Sequence, residues 1–309
     1  MSDRPDLHLF TPGPTGSTPE VIEATGRPMV PHYGERFLTV YNRCIDLFKV
    51  VFQTGNDLFL IIGPGTAALD ASLSSALPDG ARVLVPGGGW FGRRMAEMCR
   101  AHRADVDFVE FPLDEAIDPE VVRRRLETAD VPYDAVAWVH HETSTGVLNP
   151  MEPVAKAAKE QGALTIVDAV ASLGGVDLPV DAWGIDLCVS VTNKCLAAPP
   201  GISAVSVSSA AWEAIDSNPS SRSWYLDLRT WRSYREEWAG WHPFPSTVPS
   251  NIIEAATTSI EQILEEGLDV RIRRTAEAAT AVRSGLSRLG FEMFTPDDVA
   301  SPVTTAAYA

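Results

Sequence analysis

The hydrophobic positions of this chain fall into short continuous apolar runs that alternate with longer stretches of helical spacing. Apolar runs without a polar face are typical of strands buried on both sides, as in a parallel sheet. The pattern therefore predicts an α/β fold, in which a mostly parallel, seven-stranded sheet is sandwiched by helices. The predicted strands are residues 58–62, 82–85, 106–111, 135–139, 163–167, 187–190 and 203–208.

The pattern changes at both ends of this alternating region. Residues 1–20 are rich in proline, glycine and threonine, which predicts an ordered N-terminal arm before a large domain at 21–250. Residues 251–309 predict two linking helices and the start of a small α+β domain, with strands near 291–294 and 304–307. Because one or two strands cannot enclose a core, we expect this second domain to be incomplete.

Composition narrows the classes of function. The chain has a formal net charge of −16, so nucleic acid and anionic membrane surfaces are poor partners, and an anionic ligand needs a local cup of N–H donors. No run reaches the ~18 apolar residues of a membrane span, and the N-terminus lacks an apolar signal core. The four cysteines form no CxxC pair and predict a reduced, cytoplasmic protein: Cys44, Cys99, Cys188 and Cys195.

Lys194 is the first candidate for chemistry. It follows the predicted strand 187–190 and precedes a rigid Pro199-Pro-Gly201 turn. An amine at a strand end near the interior is a candidate for a shifted pKa and for Schiff-base formation. The alternative is a lysine whose aliphatic stem covers apolar surface.

Two glycine-containing loops follow other predicted strands. Gly63-Pro-Gly-Thr-Ala67 leads into a helix and suits a phosphate, although it matches neither the P-loop nor the GxGxxG pattern. The alternative is a plain turn from strand to helix. Phe91, which follows three glycines, is a candidate to stack on a planar ring, with ordinary core packing as the alternative.

Two more strand ends carry polar groups. Asp168 follows four apolar strand residues, so its carboxylate is desolvated unless paired; it suits a cationic ring nitrogen, or else caps the next loop. Hydroxyls at 143–145 suit a ligand oxygen. His140 and His141 are adjacent, and adjacent strand residues point to opposite faces, so no metal site is predicted here.

A phosphate cup, a stacking aromatic, an acid for a ring nitrogen and an amine for an aldehyde together fit pyridoxal 5′-phosphate. The acid keeps the pyridine nitrogen protonated, so that the ring can accept electrons from the substrate Cα. The amine binds the aldehyde and later moves the α-proton.

Seven motifs lie along nearly the whole chain: Thr11-Pro-Gly-Pro, Gly63-Pro-Gly-Thr-Ala, His141-Glu-Thr-Ser-Thr-Gly146, Val167-Asp-Ala-Val-Ala-Ser-Leu-Gly-Gly175, Asp181-Ala-Trp-Gly-Ile-Asp186, Asn193-Lys-Cys-Leu-Ala-Ala-Pro-Pro-Gly201 and Tyr225-Leu-Asp227. In content and order they resemble class V aminotransferases of the alanine–glyoxylate or serine–pyruvate type. The resemblance implies the pyridoxal-phosphate-dependent transferase fold of aspartate aminotransferase.

The resemblance also implies roles around the cofactor ring. Lys194 would form the Schiff base, and Asp168 would face the pyridine nitrogen. Thr143 would bond near the phenolic oxygen, and Phe91 would stack on the ring. Asn193 stands where relatives usually have glutamine and would still donate to the cofactor.

Further residues are implied at the phosphate and the substrate. Gly65, Thr66 and Ala67 would cradle the phosphate, and Gly13 would approach the substrate. Thr247 would reach the phosphate of the neighbouring subunit's cofactor, which implies a homodimer with its cofactor sites at the interface.

The predicted activity is transfer of an amino group from a small amino acid, alanine or serine, to glyoxylate or pyruvate. Three stretches also resemble pyridoxamine–pyruvate aminotransferase, although the intact Gly65-Thr66 favours a bound, phosphorylated cofactor. Another alternative is a truncated, weakly active or inactive homologue that dimerises and binds cofactor, because no residue clearly replaces the family's substrate-carboxylate arginine. The three stretches are Asn193-Lys-Cys-Leu196, Pro243-Phe-Pro245 and Ala300-Ser-Pro-Val-Thr-Thr305.

Overall fold

A computed structural model describes residues 9–221 and 223–308. The strands are β1 (Asp57–Ile62), β2 (Arg82–Gly87), β3 (Asp105–Glu110), β4 (Ala135–Val139), β5 (His141–Glu142), β6 (Val147–Leu148), β7 (Leu164–Asp168), β8 (Leu187–Val191) and β9 (Ile202–Val207). The helices are α1 (Pro19–Thr25), α2 (Glu35–Phe52), α3 (Gly65–Ala76), α4 (Gly89–Ala101), α5 (Pro119–Glu127), α6 (Glu152–Glu160), α7 (Ser209–Ser217), α8 (Leu228–Glu237), α9 (Ser250–Glu266) and α10 (Leu268–Arg288).

A seven-stranded sheet in the order β1-β9-β8-β7-β4-β2-β3 forms the centre of the molecule. The five adjacent strands β8, β7, β4, β2 and β3 run parallel, and β9 runs antiparallel to both of its neighbours, β1 and β8. The prediction of a mostly parallel α/β sheet is confirmed. Because β9 alone is reversed, β1 runs in the same direction as the parallel strands. Its carboxyl end therefore lies at the same edge of the sheet as the carboxyl ends of the parallel strands.

The core lies on both faces of the central strands. Every residue of β4, β7, β8 and β9 is buried. Successive side chains of a strand point to opposite faces, so uniform burial means that both faces are covered. The indole of Trp138 on β4 is fully buried and donates from Nε1 to the Met151 sulfur at 3.2 Å.

The C-terminal segment differs from the prediction of two strands. Met293 and Ala307 form only an isolated antiparallel bridge. The chain between them hydrogen-bonds to the β5–β6 hairpin instead. Ser301 N donates to Gly146 O at 2.7 Å, and Leu148 N donates to Val299 O at 2.9 Å. The segment thus packs against a loop of the sheet's carboxyl edge.

No helix within the described ranges combines the length and the apolar character that a membrane span requires.

Candidate active site

Five loops meet at one edge of the sheet. They follow the carboxyl ends of β1, β2, β4, β7 and β8, which is where ligands bind in open α/β sheets. A cavity of about 220 Å³ lies there. Its lining includes most of the predicted site residues: Gly65, Thr66, Phe91, Thr143, Asp168, Asn193 and Lys194.

The Lys194 amine is held by the N-terminal loop. Its Nζ donates to the carbonyl of Pro12 at 2.8 Å, and the Thr15 hydroxyl donates to the Lys194 carbonyl at 2.7 Å. Burial lowers the pKa of Lys194, against the opposing effects of Cys195 and Asp168. A lowered pKa increases the fraction of neutral amine, the form that attacks an aldehyde.

Asp168 ends β7 and is buried, with 5% of its surface exposed. Its Oδ1 accepts a hydrogen bond from Val170 N at 2.9 Å, whereas its Oδ2 accepts none from the described residues. Burial raises the pKa of Asp168 to about 6, while the Val170 amide and the Arg94 cation act in the opposite direction. Above that pH the site presents a desolvated carboxylate with one free oxygen.

The turn after β1 offers donors for an anion. Gly65 opens α3, and no described residue accepts a hydrogen bond from the amides of Gly65 and Thr66. The amide of Ala67 instead donates to Pro64 O at 2.7 Å, and Ala67 lies outside the cavity lining. Two of the three predicted phosphate contacts are therefore free to bind, and a role for Ala67 stays a prediction.

Glu142 is a residue that the motif analysis left without a role. Its Oε2 accepts from the amides of Phe91 and Gly92 at 3.0 Å each, and its Oε1 accepts from the amide and hydroxyl of Ser144. One buried carboxylate thus joins the N-terminus of α4 to the hairpin that carries Thr143. Its position in the hairpin motif was visible in the sequence, but its partners lie about fifty residues away.

We expect Glu142→Gln to weaken the contact between the N-terminus of α4 and the β5–β6 hairpin. The glutamine has the same shape, but one carboxylate oxygen becomes an NH₂ group that faces N–H donors, and the charge at the helix N-terminus is lost. Charge-assisted hydrogen bonds contribute about 1.5–3 kcal/mol each, so cofactor binding should weaken about tenfold or more. A spectrophotometric titration with pyridoxal 5′-phosphate measures this. Glu115→Gln, at an exposed position, is the control, and equal affinities for both variants would contradict the assignment.

Three further polar side chains of the cavity are free to contact a ligand. Among the described residues, none hydrogen-bonds to the side chains of Thr66, Thr143 or Asn193. His141 also lines the cavity, and its Nε2 lies 3.1 Å from the Thr304 hydroxyl of the C-terminal segment. Burial lowers the pKa of His141 to about 4, so its ring is neutral at physiological pH.

Besides Ala67, two predicted residues lie outside the cavity lining. Thr247 is exposed in the segment between α8 and α9, so its contact with a second subunit stays a prediction. Gly13 lies directly against the lysine, because a Cβ built on it would be 2.5 Å from Lys194 Nζ. Its φ of +131° also favours glycine.

We expect Gly13→Ala to displace the Lys194 amine, because the added methyl group and the amine cannot occupy the same space. Strain of this kind costs about 1–3 kcal/mol, which corresponds to cofactor binding about 5- to 150-fold weaker. Gly16→Ala, where an added Cβ meets nothing within 4 Å, is the matched control. Titration with pyridoxal 5′-phosphate compares the two, and unchanged affinity in Gly13→Ala would refute the contact.

No metal centre is found in the part of the chain that the structure describes, where no three His, Cys, Asp or Glu side chains come together as ligands.

Comparison with known proteins places the chain in a family. The model of the class V aminotransferases matches residues 9–232. An uncharacterized aminotransferase of Methanocaldococcus jannaschii is 38% identical over 97% of this chain and 77% of its own length. A pyridoxamine–pyruvate transaminase of Mesorhizobium japonicum is 30% identical over 96% of this chain and 75% of its own.

Solved structures agree with this match. The crystal structure of an alanine–glyoxylate aminotransferase from Nostoc superposes with a TM-score of 0.92 at 32% identity, covering 97% of this chain and 79% of that one. A match of the family model to most of the chain, together with relatives above 30% identity, identifies the lineage. The chain belongs to the class V aminotransferase family.

Proposed function

We propose that this protein is a pyridoxal 5′-phosphate-dependent aminotransferase that moves an amino group from a small amino acid to glyoxylate or pyruvate. The observation that carries the proposal is the shared cavity of Lys194 and Asp168, which joins an amine of lowered pKa to a buried carboxylate with a free oxygen. This pair suits an aldehyde cofactor with a basic ring nitrogen.

The donor set of the cavity fits the cofactor. Lys194 would bind its aldehyde carbon, and the free Oδ2 of Asp168 would accept from its ring nitrogen. The unpaired amides of Gly65 and Thr66, at the N-terminus of a twelve-residue helix, suit its phosphate. The unpartnered side chains of Thr143 and Asn193 are available to the ring substituents, and Phe91 offers an aromatic face, completing the set.

When bound, pyridoxal 5′-phosphate supplies a ring that accepts electron density from the substrate Cα. The protein's own contribution is proton transfer and charge. Lys194 Nζ carries the proton to and from Cα, and its lowered pKa suits this role near neutral pH. Asp168 holds a negative charge that stabilises a protonated ring nitrogen. The Pro12 carbonyl holds the amine between these steps.

The substrate class follows from the relatives. Their names specify pyruvate or glyoxylate as acceptor: pyridoxamine–pyruvate, (S)-ureidoglycine–glyoxylate and L-aspartate–glyoxylate transaminases. We propose the same acceptors here, with alanine or serine as the donor. Pyridoxamine as a free substrate is the second candidate, because 30% identity to such an enzyme extends over nearly the whole chain.

We propose a homodimer as the working unit and the cytoplasm as its location. The exposed position of Thr247 leaves its hydroxyl available to a second subunit. All four cysteines are free, and three of them are buried, which fits a reducing compartment.

A donor–acceptor screen watched by absorbance tests the proposal. Protein loaded with pyridoxal 5′-phosphate should lose its long-wavelength band on addition of alanine or serine and recover it on addition of glyoxylate or pyruvate. Recovery driven by free pyridoxamine and pyruvate would favour the second candidate. A spectrum that no amino donor changes would contradict both.

A further inference from the structure

Arg94 is a cation in the cavity that has no role in the sequence motifs or in the proposed reaction. It lies on α4 and lines the same cavity as Asp168 and Lys194. Its guanidinium carbon lies 4.5 Å from the centre of the Phe91 ring, and its side chain is 30% exposed. No described residue accepts a hydrogen bond from it, whereas its neighbour Arg93 pairs with Glu110 at the surface.

Among the described residues, the carboxylate that forms an ion pair with this guanidinium also lines the cavity. Arg94 Nη2 lies 3.9 Å from Asp168 Oδ2, the oxygen that no described residue hydrogen-bonds. The stacking on Phe91 fixes the guanidinium at this distance, since a planar cation over an aromatic face is attracted to it. Phe91 is itself fixed through its amide by Glu142.

The other neighbours of Asp168 do not give its ionised form lasting support. Glu142, on the hairpin, is a second carboxylate that disfavours the charge on Asp168, and Cys188 on β8 is a buried, neutral thiol. Lys194 favours the charge, but its own protonation changes during the proposed reaction. A guanidinium stays charged at every accessible pH, so Arg94 is the permanent cation of the group.

We propose that Arg94 is a positioning residue, which holds the Asp168 carboxylate in its ionised form and in a fixed orientation toward the cavity. This inference rests on the proposed function insofar as an ionised Asp168 is what a protonated ring nitrogen requires. Burial and the nearby Glu142 carboxylate both favour the neutral form of Asp168, so removal of the Arg94 cation would lower its ionised fraction near pH 7.

The test begins with the cofactor-free protein, so that it does not depend on the reaction. Aspartate labelled with ¹³C at its carboxyl carbon is titrated by NMR in wild type, Arg94→Met, Arg94→Lys and Arg93→Met, with Asp168→Asn identifying the resonance. In Arg94→Met we expect the Asp168 pKa to rise by about one or more above its wild-type value, which is a tenfold lower ratio of ionised to neutral carboxyl at a given pH. Arg94→Lys should keep most of the charge effect.

Arg93→Met is the matched control, because it removes the same charge from the adjacent position but from a surface ion pair. It should leave the Asp168 titration unchanged. The inference is overturned if Asp168 titrates alike in wild type, Arg94→Met and Arg94→Lys. Should Arg94→Met fail to fold, Arg94→Gln takes its place: a raised Asp168 pKa in Arg94→Gln supports the inference, and a titration that matches wild type refutes it.

A binding measurement then separates the inference from the proposed function. At pH 7, Arg94→Met should bind pyridoxal 5′-phosphate at least about twofold more weakly than Arg93→Met, because a rise of one in the pKa lowers the ionised fraction of Asp168 from about nine tenths to about half. Tighter binding by Arg94→Met would mean that the guanidinium competes with the ring, and would overturn the inference. Failure of wild type to bind the cofactor, with the NMR shift intact, would refute the proposed function and leave the Arg94–Asp168 coupling standing.

Discussion

Lys194→Ala is expected to reduce amino transfer by about 10⁴-fold or more, because one side chain supplies both the covalent attachment and the proton carrier at Cα. The structure offers no second amine for this role among the residues that line the cavity. Steady-state turnover of alanine with glyoxylate or pyruvate measures the loss, and the absorbance band of the loaded protein should disappear with it.

The control for this variant is Lys156→Ala, at an exposed position of α6. It removes an equal charge outside the cavity lining and should leave turnover unchanged. Partial rescue of Lys194→Ala by a small added amine would support a role in proton transfer. Full turnover in Lys194→Ala would rule out the lysine as the catalytic group.

Asp168→Asn is expected to change activity and stability in opposite directions. An asparagine cannot hold a protonated ring nitrogen by charge, and loss of such a preorganised electrostatic contact costs about 10²–10³-fold in rate. The Val170 amide can still donate to the side-chain oxygen, so the local turn should remain. The activity loss is measured as kcat, at saturating cofactor.

The stability gain follows from the raised pKa. The Asp168 pKa rises from 3.8 to about 6 on folding, so the folded state binds its proton more tightly than the unfolded state does. The contribution of this proton to the free energy of unfolding is fully present below pH 4 and is lost as pH rises through about 6. The loss amounts to about 3 kcal/mol. Asparagine has no such loss, so the cofactor-free variant should be more stable than wild type at pH 8.

Urea unfolding of cofactor-free protein checks this sign. The difference in free energy of unfolding between Asp168→Asn and wild type should be near zero at pH 4 and reach up to about 3 kcal/mol at pH 8. Asp114→Asn, at an exposed position, should show no such pH dependence. A cofactor-free variant less stable than wild type at pH 8 would contradict the raised pKa of the buried Asp168 carboxyl.

Much of the fold was predictable because the strands are uniform in character. Each fully apolar run became a strand of the central sheet, since only burial on both faces explains such a run. The antiparallel direction of β9 was not predictable, because an apolar run does not indicate in which direction the strand runs through the sheet. The two strands predicted near 291–294 and 304–307 are reduced to a single bridge between Met293 and Ala307, because the chain between them binds backbone groups of the β5–β6 hairpin about 150 residues earlier.

The candidate site was predictable one strand end at a time. Lys194, Asp168, Phe91 and Thr143 each lie at the end of a strand or in the segment after it, and the topology brings them together. Glu142 and Arg94 were missed for a different reason. Their roles arise from contacts between elements, a carboxylate against a helix N-terminus and a guanidinium against a carboxylate, and no local pattern marks them.

The attachment of pyridoxal 5′-phosphate is the central claim, and chemical trapping tests it most directly. Wild-type protein loaded with the cofactor is reduced with borohydride and digested, and its peptides are mapped by mass spectrometry. We predict one modified lysine, Lys194, with the modification much reduced in Asp168→Asn at limiting cofactor. Modification of another lysine, or of none, would contradict the proposed site.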